Sequence, residues 1–328
     1  VERIQIMTAA RFGAGLFQRG DVFGTGATVS HGKVGVGDII YGTHTKDGQA
    51  EITAGIVTLN SNNTTTPAHI VDIEVAATSN SSPTNQASLS LSNSSGGNID
   101  YTELTPGFYK TISITLSGAQ RADQKIDVTL ASPNGSTSAD GVHLVDGATQ
   151  LTLDANKVKL SEYNRNFTLS ATGRNIQIDG VSLGTGSYGI NAQNIALNSD
   201  VLTDGGGISL YAISAIQLKK SVRIDSNADN ISNSTSTGTA GNIIISSASL
   251  TASANGQDLV IDSSSSTTSG GVISYYYTNT LANGNVRVNN LTLDSGGAPS
   301  LDGTINLYGS HAVNNGFHAN GRTLLYSS

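Results

Sequence analysis

Gly206-Gly207-Ile208-Ser209-Leu210, Gly241-Asn242-Ile243, Gly271-Val272-Ile273 and Gly303-Thr304-Ile305-Asn306-Leu307 repeat one short pattern. A glycine break is followed by a run in which apolar and polar residues alternate. Gly97-Asn98-Ile99 and Gly284-Asn285-Val286-Arg287-Val288 are further copies. Alternation with period two places every second side chain on the same face, so each copy reads as a strand with one apolar side. Recurrence every ~13 to 20 residues, or about twice that where a copy is degenerate, fits stacked solenoid rungs, because one rung alone has nothing on which to bury that side.

Outward from these copies the same alternation continues. Gln150-Leu151-Thr152-Leu153, Asn175-Ile176-Gln177-Ile178, Asn194-Ile195-Ala196-Leu197, Asp258-Leu259-Val260-Ile261 and Asn290-Leu291-Thr292-Leu293 all read as short strands, and helical periodicity is nearly absent. Many short strands without intervening helices leave a β-helix, a sandwich or a propeller. Uneven rung lengths and the absence of a Trp-Asp blade signature favour the β-helix. Asn and Ser at the turns can stack as hydrogen-bonded ladders between rungs. The fold class expected is therefore all-β, a parallel β-helix (β-solenoid) over 142–328 preceded by an irregular β region or small β-sandwich over 31–141. In that upstream region Ser88-Leu89-Ser90-Leu91 and Thr111-Ile112-Ser113-Ile114-Thr115-Leu116 alternate, while Leu104-Thr105-Pro106-Gly107-Phe108-Tyr109 looks like a turn between sandwich strands.

Residues 1–30 stand apart. Met7, Ala9, Ala10, Phe12, Leu16 and Phe17 lie at partly helical spacing, yet Gly13 and Gly15 weaken any helix by about 1 kcal/mol each. Two readings stay open: a cap that closes the first rung, and an extension that packs on a neighbouring subunit.

Composition narrows the function classes. Charged residues make up only 12% of the 328 residues, about half the usual share, and Ser, Thr, Asn and 38 Gly take their place. Polar but uncharged faces suit flat β surfaces that meet other surfaces. With no Cys there is no disulfide framework, so stability must come from strand ladders and burial. A net charge of −7, with only Lys219 and Lys220 adjacent, argues against a nucleic-acid partner. No apolar run approaches the ~18 residues of a membrane span, and Val1-Glu2-Arg3-Ile4 does not begin a signal-peptide core.

Gly241-Asn242-Ile243-Ile244-Ile245-Ser246-Ser247-Ala248-Ser249-Leu250-Thr251 and Asn194-Ile195-Ala196-Leu197-Asn198-Ser199 resemble rungs of the large bacterial surface β-helices, the filamentous-haemagglutinin and autotransporter-type adhesins. Asn134-Gly135, in Ile126-Asp127-Val128-Thr129-Leu130-Ala131-Ser132-Pro133-Asn134-Gly135, is similar to the Asn-Pro-Asn-Gly segment of that family's secretion domain, departing from it at Ser132. The resemblance covers roughly 110–328 and is mainly compositional. It implies a secreted, non-catalytic shaft or adhesive surface.

The chemistry-bearing motifs are few. Gly184-Thr185-Gly186-Ser187-Tyr188-Gly189 has dinucleotide-binding spacing, but that motif needs a following helix to hold the pyrophosphate, and Ile190-Asn191-Ala192-Gln193-Asn194-Ile195 reads as a strand. A glycine-rich rung corner is the better reading, and no cofactor is expected. Parallel β-helices also carry lyases and hydrolases, and glycoside hydrolysis needs two carboxylates about 5 to 9.5 Å apart. The nearest acid pairs are Asp225 with Asp229, two residues after Arg223, and Asp200 with Asp204; neither lies in a polygalacturonase-like segment, so they read as solvated turn carboxylates. His311 with His318 and His31 with His44 lack zinc spacing. Sequons such as those at Asn62 and Asn233 permit glycosylation on loops.

Ile273-Ser274-Tyr275-Tyr276-Tyr277-Thr278 stands out where aromatics are 5% of the chain. Tyr275 and Tyr277 share one strand face and Tyr276 takes the other, which makes Tyr275 and Tyr277 candidates for surface contact with a glycan or a partner groove. Assembly into a homo-oligomer or homopolymer is expected to use Ile4, Ile6, Phe12, Leu16 and Phe17 at one end and Leu324, Leu325 and Tyr326 at the other. The function expected is a non-catalytic extracellular or cell-surface structural protein, with a polysaccharide-binding or polysaccharide-degrading β-helix as the alternative. A groove on one face holding several carboxylates and a basic residue would favour that alternative.

Overall fold

The computed structural model describes the strands and residue 117 between 3 and 153, and residues 166–326 apart from 180, 184, 229–237, 278–286, 299–300 and 310–312. The chain divides into two compact units, 1–151 with 168–173, and 152–167 with 174–328. Among the described residues there is no helix, so none is long and apolar enough to cross a membrane.

The first unit carries β1 (Arg3–Thr8), β2 (Leu16–Gln18), β3 (Val22–Gly24), β4 (Gly26–His31), β5 (Ile39–Tyr41), β6 (Ile52–Ala54), β7 (Ile56–Ser61), β8 (Ile70–Ala76), β9 (Ser88–Asn93), β10 (Ile99–Glu103), β11 (Thr111–Leu116), β12 (Ile126–Thr129) and β13 (Leu144–Gly147). Strands β14 (Gln150–Leu153) and β15 (Asn166–Ile178) supply residues to both units. Two sheets run through β1-β4-β7-β9-β11 and β12-β10-β8-β5-β2, with β6 also beside β8 and β3 beside β6. Every pair described among β1 to β12 is parallel, so irregular solenoid rungs replace the sandwich alternative there. Of the residues at partly helical spacing near the N-terminus, Met7 lies on β1, which pairs in register with β4, and Leu16 and Phe17 on β2, while Ala9, Ala10 and Phe12 lie outside the described residues. Leu89 and Leu91 on β9 and Ile112, Ile114 and Leu116 on β11 point inward and are buried.

The second unit is more regular. Its strands are β16 (Val181–Leu183), β17 (Tyr188–Leu197), β18 (Val201–Thr203), β19 (Ile208–Leu218), β20 (Val222–Asp225), β21 (Ile243–Ala252), β22 (Leu259–Asp262), β23 (Ile273–Tyr277), β24 (Asn290–Asp294), β25 (Thr304–Gly309), β26 (Gly316–Asn320) and β27 (Arg322–Tyr326). Odd-numbered strands β17 to β27 stack in one parallel sheet and even-numbered strands β16 to β26 in another, so the chain alternates between sheets and climbs one rung per turn. Register makes the inward side chains into columns: Tyr188, Ile208, Ile243, Ile273, Ile305; and Ile190, Leu210, Ile245, Tyr275, Leu307. All ten are buried. The long strands β17, β19 and β21 bend where the register slips after Ala192 and Ala212, and the inward residues at the bend, Ala192, Ala212 and Ser247, are small enough to let it form.

The four glycine breaks that opened the sequence reading occupy one corner, each just before a strand of the odd-numbered sheet. A Cβ on Gly206, Gly241, Gly271 or Gly303 would sit closer than 3.0 Å to the backbone carbonyl of the glycine one rung below, Gly186, Gly206, Gly241 and Gly271 respectively. The reason is close approach of backbone to backbone, and it confirms Gly186 of the dinucleotide-like motif as part of a rung corner. Outside, polar ladders join rungs as anticipated, with Asn194 Nδ2 donating to Asn175 Oδ1 (2.7 Å) and Asn198 Nδ2 to Asp179 Oδ1 (2.7 Å).

Candidate functional site

Three strands of the even-numbered sheet end in one short phrase: Ile224-Asp225-Ser226, Ile261-Asp262-Ser263 and Leu293-Asp294-Ser295. After the inward aliphatic residue, each Asp turns its Oδ1 back on its own chain to accept an amide N–H two residues on, from Asn227 (2.8 Å), Ser264 (2.9 Å) and Gly296 (2.9 Å). This Asx turn redirects the chain out of the strand. The serine carbonyls then accept the N–H of the corner glycines Gly241 (3.3 Å), Gly271 (2.7 Å) and Gly303 (2.7 Å). Strand end and glycine corner are thus one hydrogen-bonded unit, repeated rung by rung.

Register places Asp225, Asp262 and Asp294 in a single column. Arg223, half exposed, lies across two members of it: Nε donates to Asp225 Oδ2 (2.9 Å) and Nη2 to Asp262 Oδ2 (2.7 Å). Asp200 accepts the backbone N–H of Arg223 (2.8 Å). Asp200, Leu202, Arg223, Asp225, Asp262 and Ser264 line a groove of about 400 Å³. The Asp225 carboxyl is held above its ordinary value of 3.8, first by burial, which penalises its charge, and further by the neighbouring Asp262; the Asn227 amide and Arg223 pull the other way. Every oxygen of Asp225 and Asp262 has a donor, since Asp262 Oδ1 also takes the Ser264 hydroxyl (2.6 Å). Both carboxylates therefore serve as turn and ion-pair anchors in this arrangement. Among the described residues no three His, Asp or Glu side chains gather as a metal-holding group.

The reading of these acids as solvated turn carboxylates is corrected in part, since Asp225 is a turn carboxylate but both it and Asp204 are buried. Asp225 is joined through Arg223 to Asp262, on the neighbouring rung, and Asp229 lies outside the described residues. Asp204 is fully buried and bridges to Asn227, whereas Asp200 is exposed. His318 is exposed on β26; His44 and His311 lie outside the described residues.

The aromatic run is corrected too. Tyr275 and Tyr277 do share a face, but it is the inner one: they are 2% and 4% exposed, and offer no contact surface. Ile273 anchors the inward parity two residues earlier, so Tyr275 continues an aliphatic core column and Tyr277 follows it. Tyr276 faces out, stacked on Tyr308 (centroids 4.1 Å, planes 9° apart), which stacks on Tyr326 (4.5 Å, 8°). Of the residues expected to join copies, Ile4 and Ile6 are on β1, Leu16 and Phe17 on β2, and Phe12 lies outside the described residues. Leu324, Leu325 and Tyr326 are on β27, where Leu325 is 76% exposed although it continues an inward column.

Comparison with known proteins adds no identity: no family model, no curated protein and no solved structure matches the chain. The Asp column escaped sequence reading because its members are 37 and 32 residues apart along the chain, yet its signal was present in the thrice-repeated aliphatic-Asp-Ser phrase.

Proposed function

We propose that this chain is a non-catalytic β-solenoid module of a cell-surface or extracellular fibre, sheath or adhesin that associates with further copies of itself. The observation that carries this reading is the use made of polar groups. Asp225 and Asp262 spend all their oxygens on turns and on Arg223, and the outward residues of the odd-numbered sheet are mostly uncharged, as in Ser209, Ser246, Ser274 and Asn306. Such a module works by presenting surface. The resemblance of its rungs to bacterial surface β-helices points the same way. Negative-stain imaging of the purified chain tests this: fibres or end-to-end chains of rods are expected, and uniform single particles at every concentration would overturn it.

The groove favours a second reading, a β-helix acting on polysaccharide, because it joins three carboxylates to one guanidinium and holds Asp225 with a raised tendency to keep its proton, as a general acid requires. Incubation with pectate, alginate and glycosaminoglycans, followed by reducing ends and unsaturated products, decides between them. No turnover is expected. Turnover abolished by Asp225→Asn would replace the structural reading with the enzymatic one.

A further inference from the structure

We propose that Tyr276, Tyr308 and Tyr326 form an oxidative cross-linking site, at which a peroxide-driven one-electron oxidant joins neighbouring rungs through dityrosine. These residues stand in register on β23, β25 and β27. Their rings are nearly parallel with centroids 4.1 and 4.5 Å apart, while Tyr276 and Tyr326 remain 38% and 44% exposed. Stacking covers both ring faces of Tyr308 and one face each of Tyr276 and Tyr326, and the exposed position of the column leaves the rings within reach of a soluble oxidant. The arrangement therefore suits chemistry at the edges better than recognition by the faces.

Each step balances. A haem peroxidase charged with hydrogen peroxide takes one electron and one proton from each of two adjacent phenols. The two phenoxyl radicals join by a carbon–carbon bond between ring carbons ortho to the hydroxyls. The C–H bonds at the joined carbons then break, and their protons pass through solvent to the two oxygens, restoring both phenols. One peroxide and two tyrosines give one dityrosine and two waters. The biaryl product keeps its ring centres at close to the separation the stack already has, so the rings need chiefly to turn about χ2, a broad torsion.

Tyrosines elsewhere in the second unit are placed differently. Tyr188, Tyr275 and Tyr277 are buried, and Tyr211, 48% exposed, has Asn191 and Ser246 as its column neighbours. The chain has no Cys to provide a disulfide in place of this cross-link. Tying β27 to β25 and β23 constrains the unfolded chain as any cross-link does.

The test is to treat the dilute full chain with a haem peroxidase and hydrogen peroxide, then read dityrosine fluorescence, gel mobility under denaturing conditions and peptide masses. The expected result is a monomer whose cross-linked peptides pair Tyr308 with Tyr276 or Tyr326 and have lost two hydrogen atoms. Tyr308→Phe keeps the ring and the stack but removes the central phenol, and lowers the intramolecular yield by about tenfold, because neighbours held in place react far faster than colliding ones. Tyr211→Phe leaves the yield unchanged. Absence of dityrosine, links found only between molecules, or a yield that survives Tyr308→Phe would each overturn the proposal.

Discussion

Two columns run along the odd-numbered sheet of the second unit and answer to opposite constraints. Gly206, Gly241, Gly271 and Gly303 stack at the corner, where backbone meets backbone and no Cβ fits. Tyr276, Tyr308 and Tyr326 stack on the outer face, where large side chains lie against one another and water. Both are ladders, one per rung, and both follow from the same parallel register. The corner permits only one residue type because its neighbours are main chain, whose position the rungs above and below already determine. The outer column permits many, because a side chain there can turn away.

The largest effect is therefore expected at a glycine. Gly→Ala at a site that tolerates it stabilises by about 0.4–1 kcal/mol, through the unfolded chain. At Gly241 the added methyl meets the Gly206 carbonyl, so Gly241→Ala should instead destabilise by about 3 kcal/mol or more, seen as loss of soluble, β-rich protein by circular dichroism. Retention of wild-type unfolding would show that the rungs are less closely stacked than the corner requires.

Next comes the core column beside it. Tyr275→Ala empties a fully enclosed site between Ile245 and Leu307 and should cost about 3–5 kcal/mol, whereas Tyr276→Ala on the opposite face should cost well under half as much. Denaturant midpoints of the two variants check the corrected parity; equal losses would return Tyr275 to the surface.

A smaller effect is expected at the turn column. Arg223→Gln leaves Asp225 and Asp262 facing each other without the guanidinium, and because Arg223 is half exposed the loss should be about 1 kcal/mol. The pH dependence has a definite sign. With its folded pKa raised above the ordinary 3.8, Asp225 binds a proton in the folded chain at pH values where the unfolded chain has released it. Its contribution to stability is thus greatest at and below about the unfolded value and falls as pH rises through the folded one. Melting temperatures between these limits should decline with pH less steeply in Asp225→Asn than in the parent; identical slopes would show that Asp225 is not the group responsible.

The smallest effect is expected for Tyr308→Phe, which removes a hydroxyl and preserves the stack. A shift within about 0.5 kcal/mol is expected by thermal unfolding.

How much was legible beforehand follows from which interactions are local. Alternation within Ile208-Ser209-Leu210 or Ile305-Asn306-Leu307 identifies an inward face because the period of a strand is a property of the strand itself. The corner glycines were legible for the same reason, lying next to the strands they introduce. Rung length was legible only as a range: the equivalent residues Tyr188, Ile208, Ile243, Ile273, Ile305 and Thr323 are separated by 20, 35, 30, 32 and 18 residues, which fall within the 13 to 20, or about twice that, expected, but the sequence did not say which rungs would be long. Each turn carries a strand of both sheets, and the connections vary in length at little thermodynamic cost. The link from Asp225 through Arg223 to Asp262 was missed because it follows register, not proximity along the chain. Tyr275 was placed on the wrong side because the aromatic run was weighed before the Ile273 that sets its parity.

The difference between the two columns is tested most directly by unfolding Gly271→Ala and Tyr308→Ala side by side in the same denaturant series. A methyl added at the corner should lower the midpoint far more than the removal of a whole phenol from the outer face. An equal fall in both, or a larger one in Tyr308→Ala, would contradict the account of a solenoid held in register by its corners.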